Sequence, residues 1–199
     1  MKALLGGSFD PIHLGHVDIA RQLLAHYPFS DLYFVPAFQN PLKGGPLATA
    51  SQRTEMVNLA LSETNEARFH VLDWEATRLE RSYTVETLKR FVQSEGPVTL
   101  LLGNEVFAEF DRWKDPQRIL ELANVVVFSR AGQVDPRPDI FKKLGLSSQL
   151  QAKVEWLRLN VLPFSATEIR RQLAQKTKPP GLSPLVQRFI KNQGLYSEE

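Results

Sequence analysis

An apolar run followed by an amphipathic one recurs along this chain, and that alternation restricts its folds more than any other feature. The pairs are Ala3–Leu5 with Leu14–Ala25, Leu32–Val35 with Gln52–Leu61, Phe69–Leu72 with Val85–Val92, and Val98–Leu102 with Val106–Leu122. Val17, Ala20 and Leu24 share one helical face, as do Val85, Leu88 and Val92, so the second member of each pair reads as a helix and the first as a strand. Leu100–Leu102 and Val125–Phe128 are continuous rather than alternating apolar runs, the pattern of strands buried on both faces of a parallel sheet. The expected fold is therefore α/β, a doubly wound and mostly parallel sheet in one domain spanning 1–199. Thr84, Asp115-Pro116 and Ser183-Pro184 are expected to open helices, the last of which stops near Gly194. Pro36–Gly45 and Gly132–Pro138 read as loops. Ile140–Trp156 reads as loosely helical, ahead of a final strand near Leu157–Leu162.

Composition then removes whole classes of chemistry. The 199 residues contain no cysteine, which excludes a disulfide framework, a thiolate metal site and a cysteine nucleophile. The apolar runs fall far short of the roughly 20 residues of a membrane helix. Met1–Leu5 runs directly into Gly6-Gly7 without a secretory core, so a cytoplasmic protein with no membrane partner is expected. With 24 basic and 22 acidic residues the net charge is +2, too balanced for affinity built on a nucleic-acid backbone. A few local cations still suffice for a small anion.

Gly6-Gly7-Ser8-Phe9-Asp10-Pro11-Ile12-His13-Leu14-Gly15-His16 joins the first strand to the first helix. In open α/β folds that turn lies at the carboxyl end of the sheet, where ligands bind. Glycines admit a phosphate close to the backbone, and a helix start offers unpaired N–H groups. His13 and His16 are three residues apart and project in similar directions, with Gly15 leaving an opening between them. A local turn with one packed histidine is the plainer alternative for each piece taken singly. Asp10, before a proline, reads as a turn residue. Zinc fails for lack of ligands, since only His26 and His70 remain.

Ser165-Ala166-Thr167-Glu168-Ile169-Arg170 opens another helix. Ser165 and Glu168 alone form a capping box, worth about 1 kcal/mol. Thr167 and Arg170 go beyond a cap, because Arg170 can reach forward past the helix start to make a second anion site. On that reading Arg170→Ala spares stability and weakens anion binding.

Taken together, these residues resemble the bacterial nicotinate-nucleotide adenylyltransferases, within the HxGH nucleotidyltransferase superfamily. The resemblance spans nearly the whole chain. It is carried by the Gly6–His16 segment, Asn40-Pro41-x-Lys43, Ser51-x-Arg53-x-x-Met56, Ser82-Tyr83-Thr84, Leu102-Gly103, Trp113, Ala123-Asn124 through Arg130-Ala131-Gly132, Ser165-x-Thr167-x-Ile169-Arg170 and Gln193-Gly194-Leu195-Tyr196. Pantetheine-phosphate adenylyltransferases, cytidylyltransferases and class I aminoacyl-tRNA synthetases share the first piece. Ser82-Tyr83-Thr84 with Trp113 is similar to a pyridine-mononucleotide pocket.

The resemblance implies that ATP and nicotinate mononucleotide are converted to deamido-NAD and pyrophosphate in NAD biosynthesis, with Mg2+ carried on the ATP phosphates and no metal ligands from the protein. His13, His16, Lys43 and Arg170 would be catalytic. Gly6, Gly7, Ser8, Phe9, His13, His16, Gly103, Glu105, Phe164, Ser165, Thr167 and Arg170 would bind ATP. Lys43, Tyr83, Thr84 and Trp113 would bind the mononucleotide, Trp113 by stacking on the pyridine. Two positions depart from the family pattern: Glu105 stands where an aspartate is usual, and Leu42 where a loop histidine is frequent. A homo-oligomer is compatible with the sequence. A donor-rich site at the start of the helix after Tyr83 favours a carboxylate over an amide, so nicotinate is expected to be preferred to nicotinamide mononucleotide. A sister enzyme on the same scaffold is the nearest alternative. A nucleotide-sensing protein without turnover is the alternative from another class, and the joint presence of His13, His16, Lys43 and Arg170 argues against it.

Overall fold

The computed structural model describes residues 1–39, 45–78, 81–130 and 132–197. Six strands, β1 (Lys2–Gly7), β2 (Asp31–Pro36), β3 (Phe69–Val71), β4 (Val98–Gly103), β5 (Asn124–Ser129) and β6 (Val154–Arg158), form one sheet in the order β3-β2-β1-β4-β5-β6. Every neighbouring pair is parallel. β1 pairs with β2 on one side and β4 on the other, so the winding direction reverses there. A crevice at the carboxyl ends of β1 and β4 follows from that reversal.

Side chains alternate across the strands and build two cores. On one face Ala3, Leu5, Phe34, Leu101 and Val126 pack against α1 (Leu14–His26), α2 (Ala50–Ser62) and α9 (Pro184–Asn192) through Leu23, Met56 and Val186. On the other, Leu4, Val35, Leu100, Leu102 and Val125 meet α3 (Thr84–Glu95), α5 (Pro116–Leu122) and α6 (Arg137–Leu144) through Val85, Leu88, Phe91, Ile119 and Ile140. Each of these α3 side chains is fully buried, and such burial contributes about 1.5–3 kcal/mol per side chain. No helix among the described residues is long and apolar enough to cross a membrane.

Two stretches differ from the sequence-based expectation. Val106–Leu122 is not one helix: α4 (Asn104–Phe107) and a 3-10 turn (Phe110–Arg112) precede α5. Pro116 bars the helical region to its predecessor, and Asp115 sits at φ 50°. Neither Asp115 nor Ser183 makes a side-chain cap hydrogen bond, and Tyr83 rather than Thr84 is the residue capping α3. In the Ile140–Trp156 stretch, α6 ends at Gly145 with φ 59°, α7 (Ser148–Gln151) follows, and β6 begins at Val154, three residues ahead of the strand expected at Leu157. β6 is an edge strand, so Glu155 and Arg158 are exposed and its apolar pattern is broken.

Beneath the turn after β1 lies a buried polar cluster. Asp10 accepts hydrogen bonds from Leu47 N (2.9 Å), Ala48 N (3.1 Å) and the Tyr196 hydroxyl (2.6 Å). The fully buried Arg53 donates to the carbonyls of Ala48 (3.2 Å), Ser8 (2.6 Å) and Phe38 (2.9 Å). The cluster ties the turn after β1, the entry to α2, the loop after β2 and the C-terminal segment into one unit. A hydrogen bond to a charged group contributes about 1.5–3 kcal/mol, so Tyr196→Phe should lower unfolding free energy by that amount. Urea denaturation at pH 7 measures it, and an unchanged midpoint would remove Tyr196 from the cluster.

Candidate active site

The crevice is a cleft of about 660 Å³. All twelve residues expected to bind ATP reach it: Gly6, Gly7, Ser8, Phe9, His13 and His16 from the first turn, Gly103 and Glu105 from the end of β4, and Phe164, Ser165, Thr167 and Arg170 from α8 (Ala166–Ala174) and its entry. The glycines serve more than one purpose. A Cβ at Gly6 would meet nothing within 4 Å, whereas at Gly7 it would lie 2.8 Å from the Phe9 ring and at Gly15 3.0 Å from His13 Nδ1. Gly7 and Gly15 therefore make room for side chains that shape the turn. Phe9 adopts φ 48°, and its buried ring lies 5.1 Å, edge-on, from His16 and 5.8 Å from Phe34. Its side chain belongs to the core, and only its backbone is available to a ligand.

His13 and His16 stack with ring centroids 3.7 Å apart. The His13 backbone N–H donates to His16 Nδ1 at 3.3 Å, which leaves the proton of a neutral His16 on Nε2. His13 is buried, and its Nδ1 has no hydrogen-bond partner. Burial, reinforced by the positive charge of Arg130, lowers the His13 pKa to about 4. Burial, with His13 and Arg130, also holds His16 well below its ordinary value. Both imidazoles are neutral at pH 7, so each has one N–H to donate to a phosphate.

At the late anchor the Ser165 hydroxyl accepts from Glu168 N at 3.2 Å. Glu168 does not complete the capping box, because its carboxylate is engaged by Arg171 (2.6 Å) and Gln172 (2.7 Å). Arg170 donates to Asp10 O at 2.6 Å and lies 3.4 Å from Thr167 Oγ1. Hence Arg170 joins the two anchors, and the expectation that Arg170→Ala spares stability is corrected: it removes a contact to the first turn.

A second cavity of about 160 Å³ holds Tyr83, Thr84 and Trp113 together, floored by Leu4, Val35, Leu100 and Leu102. Trp113 is half-buried, its ring 5.4 Å from Phe110, and the Lys114 ammonium sits 4.7 Å over the Tyr83 ring. The two cavities share Gly6, Gly7, Ser8, Ala37, Leu102 and Val106. Lys43 lies outside the described residues.

Several site residues escaped the sequence reading. Arg130, exposed at the end of β5, lines the ATP-sized cleft. Glu75 lines the smaller cavity, placing an acceptor among the expected donors. Trp156 donates to Asn104 Oδ1 at 3.1 Å and so braces the segment of Gly103 and Glu105, while Glu105 accepts from Gln133 at 3.2 Å. The arginine ending an apolar strand was the one available signal. Asp10 and Asn104 act through partners distant in sequence, and Glu75 through Thr87 in the next helix.

A model of the cytidylyltransferase-like family matches residues 4–172. A probable nicotinate-nucleotide adenylyltransferase of Aquifex aeolicus is 39% identical over 145 residues, covering 72% of this chain and 85% of that one. One from Leptospira borgpetersenii is 31% identical over 202 residues, covering 100% and 98%. The chain belongs to the nicotinate-nucleotide adenylyltransferases, within the cytidylyltransferase-like family. It is a nucleotidyltransferase enzyme. The fold agrees with this membership: a Plasmodium falciparum nicotinic acid mononucleotide adenylyltransferase, solved in complex with NaAD, superimposes with a TM-score of 0.76 at 17% identity, covering 98% of this chain and 96% of that one. Among the described residues there is no group of three or more His, Asp or Glu that could hold a metal ion.

The lowered His13 pKa makes stability depend on pH. Unfolded histidine takes up a proton near 6.5 but folded His13 only near 4, so its contribution is full above 6.5 and falls as pH drops through that window. At 1.36 kcal/mol per pKa unit the loss reaches about 3 kcal/mol. In denaturation at pH 7 and pH 4.5, His13→Asn should show a smaller acid loss than wild type. Parallel losses would mean that His13 is not held neutral.

Proposed function

We propose that the joined cavities bind ATP and nicotinate mononucleotide end to end and transfer the adenylyl group to give deamido-NAD and pyrophosphate, a step of NAD biosynthesis. The observation that carries this reading is the junction itself. An ATP-sized, donor-lined cleft and a smaller cavity with an apolar floor share the Gly6–Ser8 turn, so an adenosine and a pyridine can occupy opposite ends with their phosphates meeting at the histidines.

The chemistry asks little of the protein in proton transfer. An oxygen of the mononucleotide 5′-phosphate, already ionised, attacks the α-phosphorus of ATP. The bond from that phosphorus to the bridging oxygen breaks, and its electron pair leaves with pyrophosphate. Catalysis consists of alignment and of stabilising charge on the transferring and leaving oxygens. His13 and His16 serve as neutral donors, Ser165, Thr167 and Arg170 receive the triphosphate, and Arg130 adds a cation beside the histidines. The resemblance gives Lys43 a share in the same phosphate contacts. Gly103 and Glu105 flank the adenosine, and Glu105 retains the carboxylate of the usual aspartate on a longer stem. Magnesium supplies neutralising charge when bound to the ATP phosphates, which suits a donor set of imidazoles, hydroxyls and guanidinium groups rather than carboxylates.

Trp113 stacks on the pyridine, with Tyr83 and Thr84 beside it. The first turn of α3 directs unpaired N–H groups and a positive field toward the substituent. That field supports preference for nicotinate over nicotinamide mononucleotide.

His16→Ala should cost about 2.7–4 kcal/mol of transition-state stabilisation, a hundredfold or more in kcat, in a folded enzyme. Near-normal turnover in a folded variant defeats the assignment. For the pyridine end, kcat/KM for the two mononucleotides is the measurement. Nicotinate should be favoured at least about tenfold, the factor equivalent to about 1.4 kcal/mol, and Thr84→Val should erode that ratio. Equal efficiencies in wild type would sink the specificity argument and leave the phosphate chemistry intact.

A further inference from the structure

Glu75 stands in the wall of the smaller cavity, outside every contact invoked above. Its Oε1 accepts a hydrogen bond from the Thr87 hydroxyl at 2.6 Å, and Thr87, in the first turn of α3, is itself buried. The Ser82 hydroxyl lies in the same cavity wall. It accepts from Phe38 N at 2.9 Å, while the Ser82 N–H donates to Gln39 O at 3.2 Å. The carboxylate thus holds the helix that carries Thr84, and the entry to that helix is zipped to the loop after β2.

We propose that Glu75 is a positioning residue for the mononucleotide: by accepting from Thr87 it fixes the start of α3, and so the pyridine end of the cavity. The inference rests on reading this cavity as the pyridine site. Two observations support a positioning role over a general contribution to packing. The short bond between Glu75 and Thr87 joins two residues that both line the cavity. The helix start that it holds is the one that presents Tyr83 and Thr84 to the same cavity. Burial raises the Glu75 pKa, while the bond from Thr87 and the charge of Arg78 act in the opposite direction. Glu75, Thr87 and Thr84 line the smaller cavity and not the large cleft, so the effect of losing the tie falls on one substrate.

The test compares Glu75→Ala, Glu75→Gln and Thr87→Val with wild type, measuring KM for nicotinate mononucleotide at saturating ATP, KM for ATP at saturating mononucleotide, and melting temperature. Trp113→Ala serves as a control on the cavity. Glu75→Ala and Thr87→Val should raise the mononucleotide KM roughly tenfold and leave the ATP KM within about twofold. Glu75→Gln should recover most of the loss, because its carbonyl oxygen still accepts a hydroxyl and its neighbouring hydroxyls can rotate to accept from the amide. The proposal is overturned if folded Glu75→Ala keeps the wild-type mononucleotide KM, if both KM values rise together, or if the glutamine does no better than the alanine. Should the alanine variant fail to fold, a wild-type mononucleotide KM in Thr87→Val overturns it equally. An unchanged mononucleotide KM in Trp113→Ala defeats the cavity assignment itself. A raised value there beside normal Glu75 variants defeats only the positioning role.

Discussion

A carboxylate and a guanidinium buried under the turn after β1 hold the rest of the site in register. Arg53 reaches three backbone carbonyls from three segments, and Asp10 receives two backbone N–H groups and a tyrosine hydroxyl from near the C-terminus. An isolated buried charge is costly, and each of these is kept by its hydrogen bonds and by the other's proximity. Phosphate recognition depends on backbone placement to a fraction of an ångström, so it is natural that the Gly6–His16 turn rests on fixed polar bonds rather than on apolar packing alone. Arg170 extends the same scaffold, because its bond to Asp10 O carries the position of α8 to the turn.

Above that scaffold the histidines are kept neutral by burial and by the charge of Arg130, with His13 adding to the effect on His16. A cationic imidazole would attract phosphate more strongly, but its charge would have to be held in a buried stack beside Arg130. The observed arrangement supplies directed N–H donors from a desolvated position, where hydrogen bonds to an anion gain most. Such a pair suits a reaction whose nucleophile arrives ionised. No base is required, and the stack, the hydroxyls of α8 and the nearby guanidinium groups meet what remains, the charge on phosphorus-bound oxygens.

The topology explains why the two substrates meet where they do. Reversal of winding between β1 and β4 opens one crevice at the strand ends. The turn after β1 forms its floor, so an ATP-sized cleft on one side and a small apolar cavity on the other share the same residues. Neighbouring β-strands supply the apolar floor of the small cavity, and helix starts supply the donors around both.

Sequence alone determined the α/β class, the four leading strand and helix pairs, the phosphate turn and the anchor at Ser165–Arg170, because each is a local pattern: apolar period, glycine spacing, a capping residue, histidines one turn apart. It also brought out Tyr83, Thr84 and Trp113 through resemblance. The tertiary structure alone decided what depends on distant partners. Arg53 and Asp10 become a scaffold only when Ser8, Phe38, Ala48 and Tyr196 converge, and Glu75 acquires a role only when Thr87 turns toward it. β6 was misplaced because an edge strand is partly solvated and its charges break the apolar run. Within Val106–Leu122 the helix start expected at Asp115-Pro116 opens α5, and what apolar spacing did not show is that only the short α4 and a 3-10 turn stand before it. Local periodicity reports which face of an element is buried; which polar groups meet across the fold is set by how separate segments close on one another, as far apart as Asp10 and Tyr196, and one-dimensional patterns carry no record of it.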